Sequence, residues 1–166
     1  MKTNALGRKL IQHYESLMLE AYQCSAKKWT IGYGNTFYED GTPVKKGDKI
    51  TVERAESLFD LILDKFEKEV SSLLTRTVTE DQFSALVSFA YNVGSDIDAD
   101  TIAEGLGDST LLKMINRDPN DPKIADEFLK WNKETVNGVK KPSLGLTRRR
   151  KSEAHLYFNF ELKYFY

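Results

Sequence analysis

The sequence predicts an α+β fold: a short helix and a small antiparallel sheet near the amino terminus, then a larger helical part. Three observations predict it. Between residues 21 and 50, aromatic and β-branched residues are interspersed with glycine and proline; apolar residues recur at helical spacing before and after that stretch; and the later helical segments open with capping residues. The 166 residues, 40% hydrophobic and 30% charged, have the balance of a globular chain that buries one core, not of a disordered one. The expectation is one domain over residues 1–166, with a sheet lobe at about 15–50 and a helical lobe at about 51–166.

Each element has its own justification. Leu6, Leu10, Ile11 and Tyr14 share a helical face, so residues 4–15 form an amphipathic helix that leaves Glu15 at a helix-to-loop junction. Trp29, Thr30, Ile31, Tyr33 and Val44, broken by Gly32, Gly34, Gly41, Pro43 and Gly47, form the small sheet, with Glu39-Asp40-Gly41 as its reversal. Thr51 can cap a long helix to about residue 74, whose apolar face runs through Ala55, Leu58, Phe59, Ile62, Phe66 and Val70. Thr79 with Gln82 is a capping box, opening a buried helix that ends before Gly94. Residues 95–107 read as a surface loop. Asp108-Ser109-Thr110 opens another helix, Pro119 to Pro122 punctuate it, and a helix over 124–131 follows. Residues 135–143 read as a loop, and a last helix runs from 144 or 145 to about 157. The long helix from Thr51 is expected to join the two lobes, with the active site between them.

Composition excludes several classes. Cys24 is the single cysteine, so no intrachain disulfide can form. The first residues, with Lys2, Arg8, Lys9 and His13 among isolated apolar ones, lack the apolar run of a signal peptide, and no stretch approaches the roughly 20 apolar residues of a membrane span. A protein held in a cytoplasm, without membrane insertion, is expected. A net charge of −1 argues against bulk electrostatic binding of nucleic acid. Charge is nevertheless uneven. Lys130, Lys133, Lys140, Lys141, Arg148, Arg149, Arg150 and Lys151 gather near the carboxyl end, and Glu53, Glu56, Asp60, Asp64, Glu67 and Glu69 in the middle. Such runs are ordinarily solvated helix faces; the alternative is a basic rim on an anion-binding cleft. His13 and His155 lack metal-ligand spacing, so neither metal nor cofactor is expected.

Taken as residues alone, Glu15, Cys24 and Thr30 fall at a helix end, in a loop and on a strand, the places where a cleft can form. Each also has an ordinary reading: a solvated glutamate, a small buried hydrophobe and a strand threonine. Glu15, followed by Ala21-Tyr22-Gln23-Cys24 and Trp29-Thr30-Ile31-Gly32-Tyr33-Gly34-Asn35-Thr36, resembles the active-site signature of the phage lysozymes, glycoside hydrolase family 24. In that family a catalytic Glu is followed after eight residues by Asp or Cys and after five more by Thr, the spacing of Glu15, Cys24 and Thr30 here. Later segments resemble the family in the same order: 51–58, 82–94, Ser109-Thr110-Leu111-Leu112, Trp131 and 145–153. Two positions depart from it: Ser16 stands where the family often has Gly, and Asn35 where it often has His. Neither exchanges a proton, so the departures are expected to alter local stability.

The resemblance implies a lysozyme-like fold and hydrolysis of the β-1,4 bond between N-acetylmuramic acid and N-acetylglucosamine in peptidoglycan. Such a reaction needs a proton donor to the leaving oxygen and a group on the other sugar face that activates water or attacks carbon. The resemblance gives Glu15 the first role, which a partly desolvated carboxyl performs best. Cys24 stands where many relatives have Asp; its thiol, near 8.5 when unperturbed, ionises readily only where a cation or helix terminus lowers it, and Lys27 and Lys28 are near in sequence. Because cysteine is also a competent nucleophile, both water attack and a covalent intermediate stay open, with water attack favoured. Thr30 can hold that water beside Cys24. Thr36, Tyr91, Asn92, Thr110 and Asn137 align with substrate-binding positions, although Tyr91 also reads as core and Asn137-Gly138 as a turn. Trp29 and Trp131 read as packing residues.

The use so implied is lysis of a host bacterium by an endolysin. It would act as a monomer on a peptidoglycan substrate, waiting in the host bacterial cytoplasm until a separate membrane pore protein releases it to the wall. The rival readings are a lytic transglycosylase, which forms a 1,6-anhydro product instead of adding water, and a silent wall-binding module, which has no need of the three catalytic positions. Nucleic-acid binding has only residues 148–151 to support it.

Overall fold

The computed structural model describes every residue except Ser25, Ala99 and Thr101. In chain order the elements are α1 Ala5–Glu15, β1 Met18–Gln23, β2 Trp29–Gly32, α2 Val52–Leu73, α3 Glu80–Val93, α4 Thr110–Arg117, α5 Ile124–Leu129, β3 Lys133–Val136, β4 Val139–Pro142 and α6 Leu144–Asn159. This is the α+β class expected. Residues Ile11–Lys65 form one compact unit, and Met1–Leu10 with Phe66–Tyr166 form another.

In the first of these, β1 and β2 run antiparallel, with Tyr22 opposite Thr30 and Gln23 opposite Trp29, and an irregularity between Met18 and Tyr22. Single bridges join Glu20 to Lys49, Ile31 to Asn35 and Phe37 to Pro43. The reversal at Glu39-Asp40-Gly41 is as the sequence predicts. Tyr38 N donates to Thr42 O at 2.9 Å, Asp40 Oδ1 accepts from both Thr42 N and Oγ1, and Gly41 takes φ 81°. Thr51 Oγ1 accepts from Arg54 N at 3.1 Å, the cap expected for α2. Ile11, Ile31, Val44, Ala55, Leu58, Phe59 and Leu63 are buried under this sheet and helix. Asn35, 2% exposed, donates from Nδ2 to Leu58 O at 3.2 Å. At this departure from histidine the amide thus makes one structural bond, while its Oδ1 is buried without a hydrogen-bond partner.

The second unit is built around α3. Its capping box is present in full, and every residue from Gln82 to Ala90 is buried, which is why its sequence is apolar on nearly all sides. Phe89 meets Phe128 and Trp131 edge-on, at 5.7 and 5.5 Å between ring centroids, confirming Trp131 as a packing residue. The amino-terminal end of α1 lies on α3 at Gly7. Asn4 ties the two together: its Oδ1 accepts from Gly7 N at 3.0 Å, its N donates to Ser84 Oγ at 3.0 Å, and its Nδ2 donates to Asp81 Oδ1 at 2.7 Å.

Charge is buried between α3 and α6. Glu153 Oε1 accepts from Ser88 Oγ at 2.8 Å, Arg149 Nε at 3.2 Å and Arg150 Nη2 at 3.0 Å, and Arg150 Nε stands 2.8 Å from Oε2 as an ion pair without hydrogen-bond alignment. Arg149 Nη2 also donates to Ser88 O, and Arg150 Nη2 to Asn92 Oδ1. Two of the basic residues that read as a solvated run are thus 3% and 0% exposed.

The loop expected over 135–143 is instead a hairpin. β3 and β4 pair Lys133 with Pro142, Glu134 with Lys141, Thr135 with Lys140 and Val136 with Val139. Asn137 and Gly138, with φ of 51° and 77°, form its two-residue turn. All eight strand residues are exposed, so no buried face imposes the alternation that marks a strand in sequence. The last helix and the helix at Ser109 start where expected, while α5 stops at Leu129, short of residue 131. Residues 95–107 form neither helix nor strand where described; Ala99 and Thr101, also assigned to that loop, lie outside the described residues. Among the described residues no helix is long and apolar enough to cross a membrane.

Candidate active site

The amphipathic pattern of α1 ends at Glu15, and the helix stops there because Ser16 turns into the left-handed region, φ 58°, with its N–H donating back to Gln12 O at 3.2 Å. Glu15 is half-buried at this end. Gln12, one turn earlier, donates from Nε2 to both carboxylate oxygens of Glu56 at 3.0 Å. Tyr33, just past β2, donates its hydroxyl to Glu56 Oε1 at 3.1 Å. One carboxylate on α2 therefore holds the last turn of α1 and the end of β2 in place.

Cys24 follows β1 directly. Its N–H donates to Lys28 O at 3.0 Å, and its own carbonyl accepts from Lys27 N at 2.8 Å, closing the turn between the strands, with Lys27 at φ 59°. In an antiparallel pair directly opposed residues share a face, as do residues two apart on one strand. Tyr22, Thr30 opposite it and Cys24 two residues on therefore stand on one side of the hairpin. Thr30 is 4% exposed, and its single hydroxyl proton is shared between Lys28 O, 3.1 Å away, and the Cys24 sulfur.

The electrostatics agree with this placement. The Cys24 thiol is lowered from its ordinary value chiefly by a backbone hydrogen bond from Lys28, with further help from Ala26, the Thr30 hydroxyl and its own backbone, against a desolvation that raises it. The Lys27 and Lys28 side chains, which the sequence offered as the cause, are not what lowers it. Tyr22 is pushed the other way, by burial first and then by the charges of Cys24 and Glu15. Tyr22 thus marks the spot where the influence of the two groups overlaps. It was not singled out from sequence, although its place two residues before Cys24 on a strand is the signal that would have found it.

The remaining expected residues are more scattered. Thr36 is half-buried, with its carbonyl accepting from Val44 N at 2.9 Å. Tyr91 lies against Phe66, 5.3 Å between centroids, while Asn92 is exposed and uses Oδ1 to accept from Arg150. Thr110 is exposed at the first position of α4, and Asn137 occupies the hairpin turn. Asp96, Asp98 and Asp108 bring ligand atoms within 4.8 Å of one another. Asp96 Oδ2, however, already accepts the backbone N–H groups of Glu104, Gly105 and Asp108, which is the closure of a loop.

Comparison with known proteins adds to this geometry. The chain matches the model of the phage lysozyme family over residues 12–153. It is 34% identical over 157 residues to an endolysin of Acyrthosiphon pisum secondary endosymbiont phage 1, covering 95% of this chain and 98% of that one. It is 39% identical over 165 residues to an endolysin of Bacillus phage B103, but spans only 56% of that protein's length and 98% of its own. Among solved structures, an endolysin from Escherichia coli O157:H7 phage FAHEc1 superposes with a TM-score of 0.87 at 38% identity, covering 98% of this chain and 97% of the other.

Proposed function

We propose, from the premise that this chain belongs to the phage lysozyme family and is a peptidoglycan-hydrolysing lysozyme, that it hydrolyses the β-1,4 bond between N-acetylmuramic acid and N-acetylglucosamine. What supports the finer reading is that the charges of Cys24 and Glu15 both act on Tyr22, which stands opposite Thr30 on the hairpin.

Glu15 gives its proton to the leaving glycosidic oxygen. Water attacks the anomeric carbon from the opposite face. Thr30 accepts a hydrogen bond from that water, and Cys24, held towards the thiolate by the turn's N–H groups, receives its proton. The bond to the leaving oxygen breaks as the bond to water forms, Glu15 ends as carboxylate and Cys24 as thiol. A displacement of this kind inverts the anomeric centre, and the product carries a reducing muramic end, unlike that of a transglycosylase. Thr36, Tyr91, Asn92, Thr110 and Asn137 are proposed to contact the sugar polymer. The wider role is lysis of a host bacterium by a monomeric enzyme that waits in the cytoplasm and depends on a separate pore protein for access to the wall.

The test is the clearing rate of purified peptidoglycan by the wild type and by Glu15→Gln, both shown to be folded. Removal of a general acid is expected to slow clearing by about two to four orders of magnitude. A mutant as fast as the wild type would remove Glu15 from this role, and a wild type that binds the wall without clearing it would favour the silent binding module.

A further inference from the structure

Two segments carry the reacting groups, the last turn of α1 with Glu15 and the β1–β2 hairpin with Cys24 and Thr30, and both belong to the unit Ile11–Lys65. Only Ser16 and Leu17 link them, and the soft dihedrals of so short a link do not by themselves fix the angle between helix and hairpin. Glu56 on α2 makes contacts that can. Gln12 Nε2 donates to its Oε1 and Oε2, at 3.0 Å each, and the Tyr33 hydroxyl donates to its Oε1 at 3.1 Å. Each partner is tied by backbone to a reacting group. Gln12 O accepts from Ser16 N at 3.2 Å, closing the turn that ends at Glu15. Tyr33 follows Gly32, the last residue of β2, and Thr30 stands two residues before that end. The buried ring of Tyr33 lies on Phe59, 5.2 Å between centroids, one turn of α2 after Glu56. Ring and hydroxyl are therefore both seated on α2. Burial first, and then Glu56, push the hydroxyl above its ordinary value and so keep it a donor near neutral pH.

We propose that Glu56 is a positioning residue for the reaction, which sets the Glu15 carboxyl against Cys24 and Thr30 through Gln12 and Tyr33. The proposal rests on the lysozyme reading and adds to it a residue outside the three reacting positions. An acid has to protonate the leaving oxygen while water arrives at the opposite sugar face, so the two groups act together only when their separation and angle are held closely. A carboxylate suits the task. Having only acceptors, it takes all three donations at once, whereas an amide there would set its own NH2 against that of Gln12. Glu56 also stands in the second turn of a 22-residue helix, so the reference it gives to α1 and β2 is a rigid one. Holding the polymer does not require that reference; turning it over does. Loss of Glu56 therefore lowers kcat and leaves KM nearly in place.

The experiment measures steady-state cleavage of soluble, uncrosslinked peptidoglycan by the wild type, Glu56→Ala, Gln12→Glu, Gln12→Glu/Glu56→Gln and Tyr38→Phe, each checked for fold by circular dichroism. Glu56→Ala is expected to lower kcat about ten- to a hundredfold and to move KM by less than about threefold. Gln12→Glu opposes two carboxylates and should fall as far. The double variant restores donor to acceptor with the roles exchanged and should bring kcat to within about threefold of the wild type. If Glu56→Ala does not fold, the Gln12→Glu variant and its double decide the matter. Tyr38→Phe is the control for stability: it removes another tyrosine-to-carboxylate bond of the same unit, from the Tyr38 hydroxyl to Asp48 Oδ2 at 2.9 Å, and should leave kcat unchanged. A raised KM at unchanged kcat overturns the proposal, as does a double variant no faster than Gln12→Glu, or a Tyr38→Phe that loses as much kcat as Glu56→Ala. Amide exchange at Ser16, whose N–H closes the last turn of α1, reads the positioning without turnover. It should quicken about tenfold or more in Glu56→Ala and Gln12→Glu and return towards the wild type in the double variant. If the wild type cleaves nothing but Ser16 exchange follows this pattern, the enzymatic reading fails while Glu56 still sets the end of α1. If the wild type cleaves and neither kcat nor Ser16 exchange responds, the positioning role fails and the enzyme stands.

Discussion

Replacing Gly7 by alanine sets two known effects against each other. Gly7 lies inside α1, where alanine is favoured over glycine by about 1 kcal/mol on helix propensity. A Cβ built at this position, however, would stand 2.5 Å from Ser84 Cβ and 2.7 Å from Thr3 Cγ2. Carbon atoms prefer about 3.5–4.0 Å, so the overlap with Ser84 is about 1.0–1.5 Å. No rotation of Ser84 relieves it, because its Cβ is fixed to the backbone of α3. Overpacking of this kind costs about 1–3 kcal/mol, and an overlap this deep belongs at the upper end. The net expectation is a loss of about 1–2 kcal/mol. The separation of α1 from α3 also strains the bonds of Asn4 to Ser84 and Asp81, and tilts the helix that carries Glu15 at its other end. Urea unfolding of the wild type, Gly7→Ala, Ser84→Gly and the double variant would measure it. The double variant removes the obstructing Cβ, so its loss should be smaller than the sum of the single losses by about 1 kcal/mol or more. A Gly7→Ala protein as stable as the wild type, or more so, would refute the reasoning, since propensity would then have outweighed contact.

Other consequences are expected as follows. The rate of Cys24 alkylation by iodoacetamide should rise with a midpoint below the roughly 8.5 of a free thiol; Thr30→Val should move the midpoint up, whereas Lys28→Gln should leave it in place because the Lys28 backbone, not its ammonium, is responsible. Glu153→Gln removes the negative charge that faces two buried guanidinium groups and should cost about 3–5 kcal/mol in urea unfolding. Ser16→Gly should stabilise by about 0.5–1 kcal/mol, read as a higher urea midpoint, because glycine adopts the φ of 58° without a Cβ penalty.

Where the chain's own chemistry dictates structure locally, the sequence is explicit. The Thr79–Gln82 capping box, the Thr51 cap and the apolar faces of α2 and α3 need no tertiary information, and all are found as expected. The β3–β4 hairpin was hidden for a physical reason: with every residue exposed, its alternation has no buried face to make it visible, and only Asn137-Gly138 betrayed a turn. The basic run from Lys130 to Lys151 reads as one feature in sequence but divides in three dimensions. Helical spacing buries Arg149 and Arg150 against Glu153, while strand alternation sends Lys133 and Lys140 to the surface of a cavity. Ser16 and Asn35, the two departures from the family pattern, differ in kind: one carries backbone strain, and the other makes a buried bond through Nδ2 while its Oδ1 has no hydrogen-bond partner.

The candidate site shows why a motif can be read before its chemistry is. The spacing of Glu15, Cys24 and Thr30 names the residues, but sequence proximity pointed to Lys27 and Lys28 as the cations that would favour a thiolate. The thiol is instead lowered chiefly by backbone hydrogen bonding in the turn, from Lys28 first, and backbone donors do not depend on which side chains the turn carries. The same donors would serve a carboxylate, which is what many relatives have at this position. A turn that stabilises negative charge through its backbone tolerates either acid, because the charge is held by the fold and only the proton affinity changes with the side chain. On the proposed mechanism, exchanging cysteine for aspartate would shift the pH at which the water-activating group is ionised while leaving the turn that holds it, so the side chain would set the working pH and the hairpin the place of the charge.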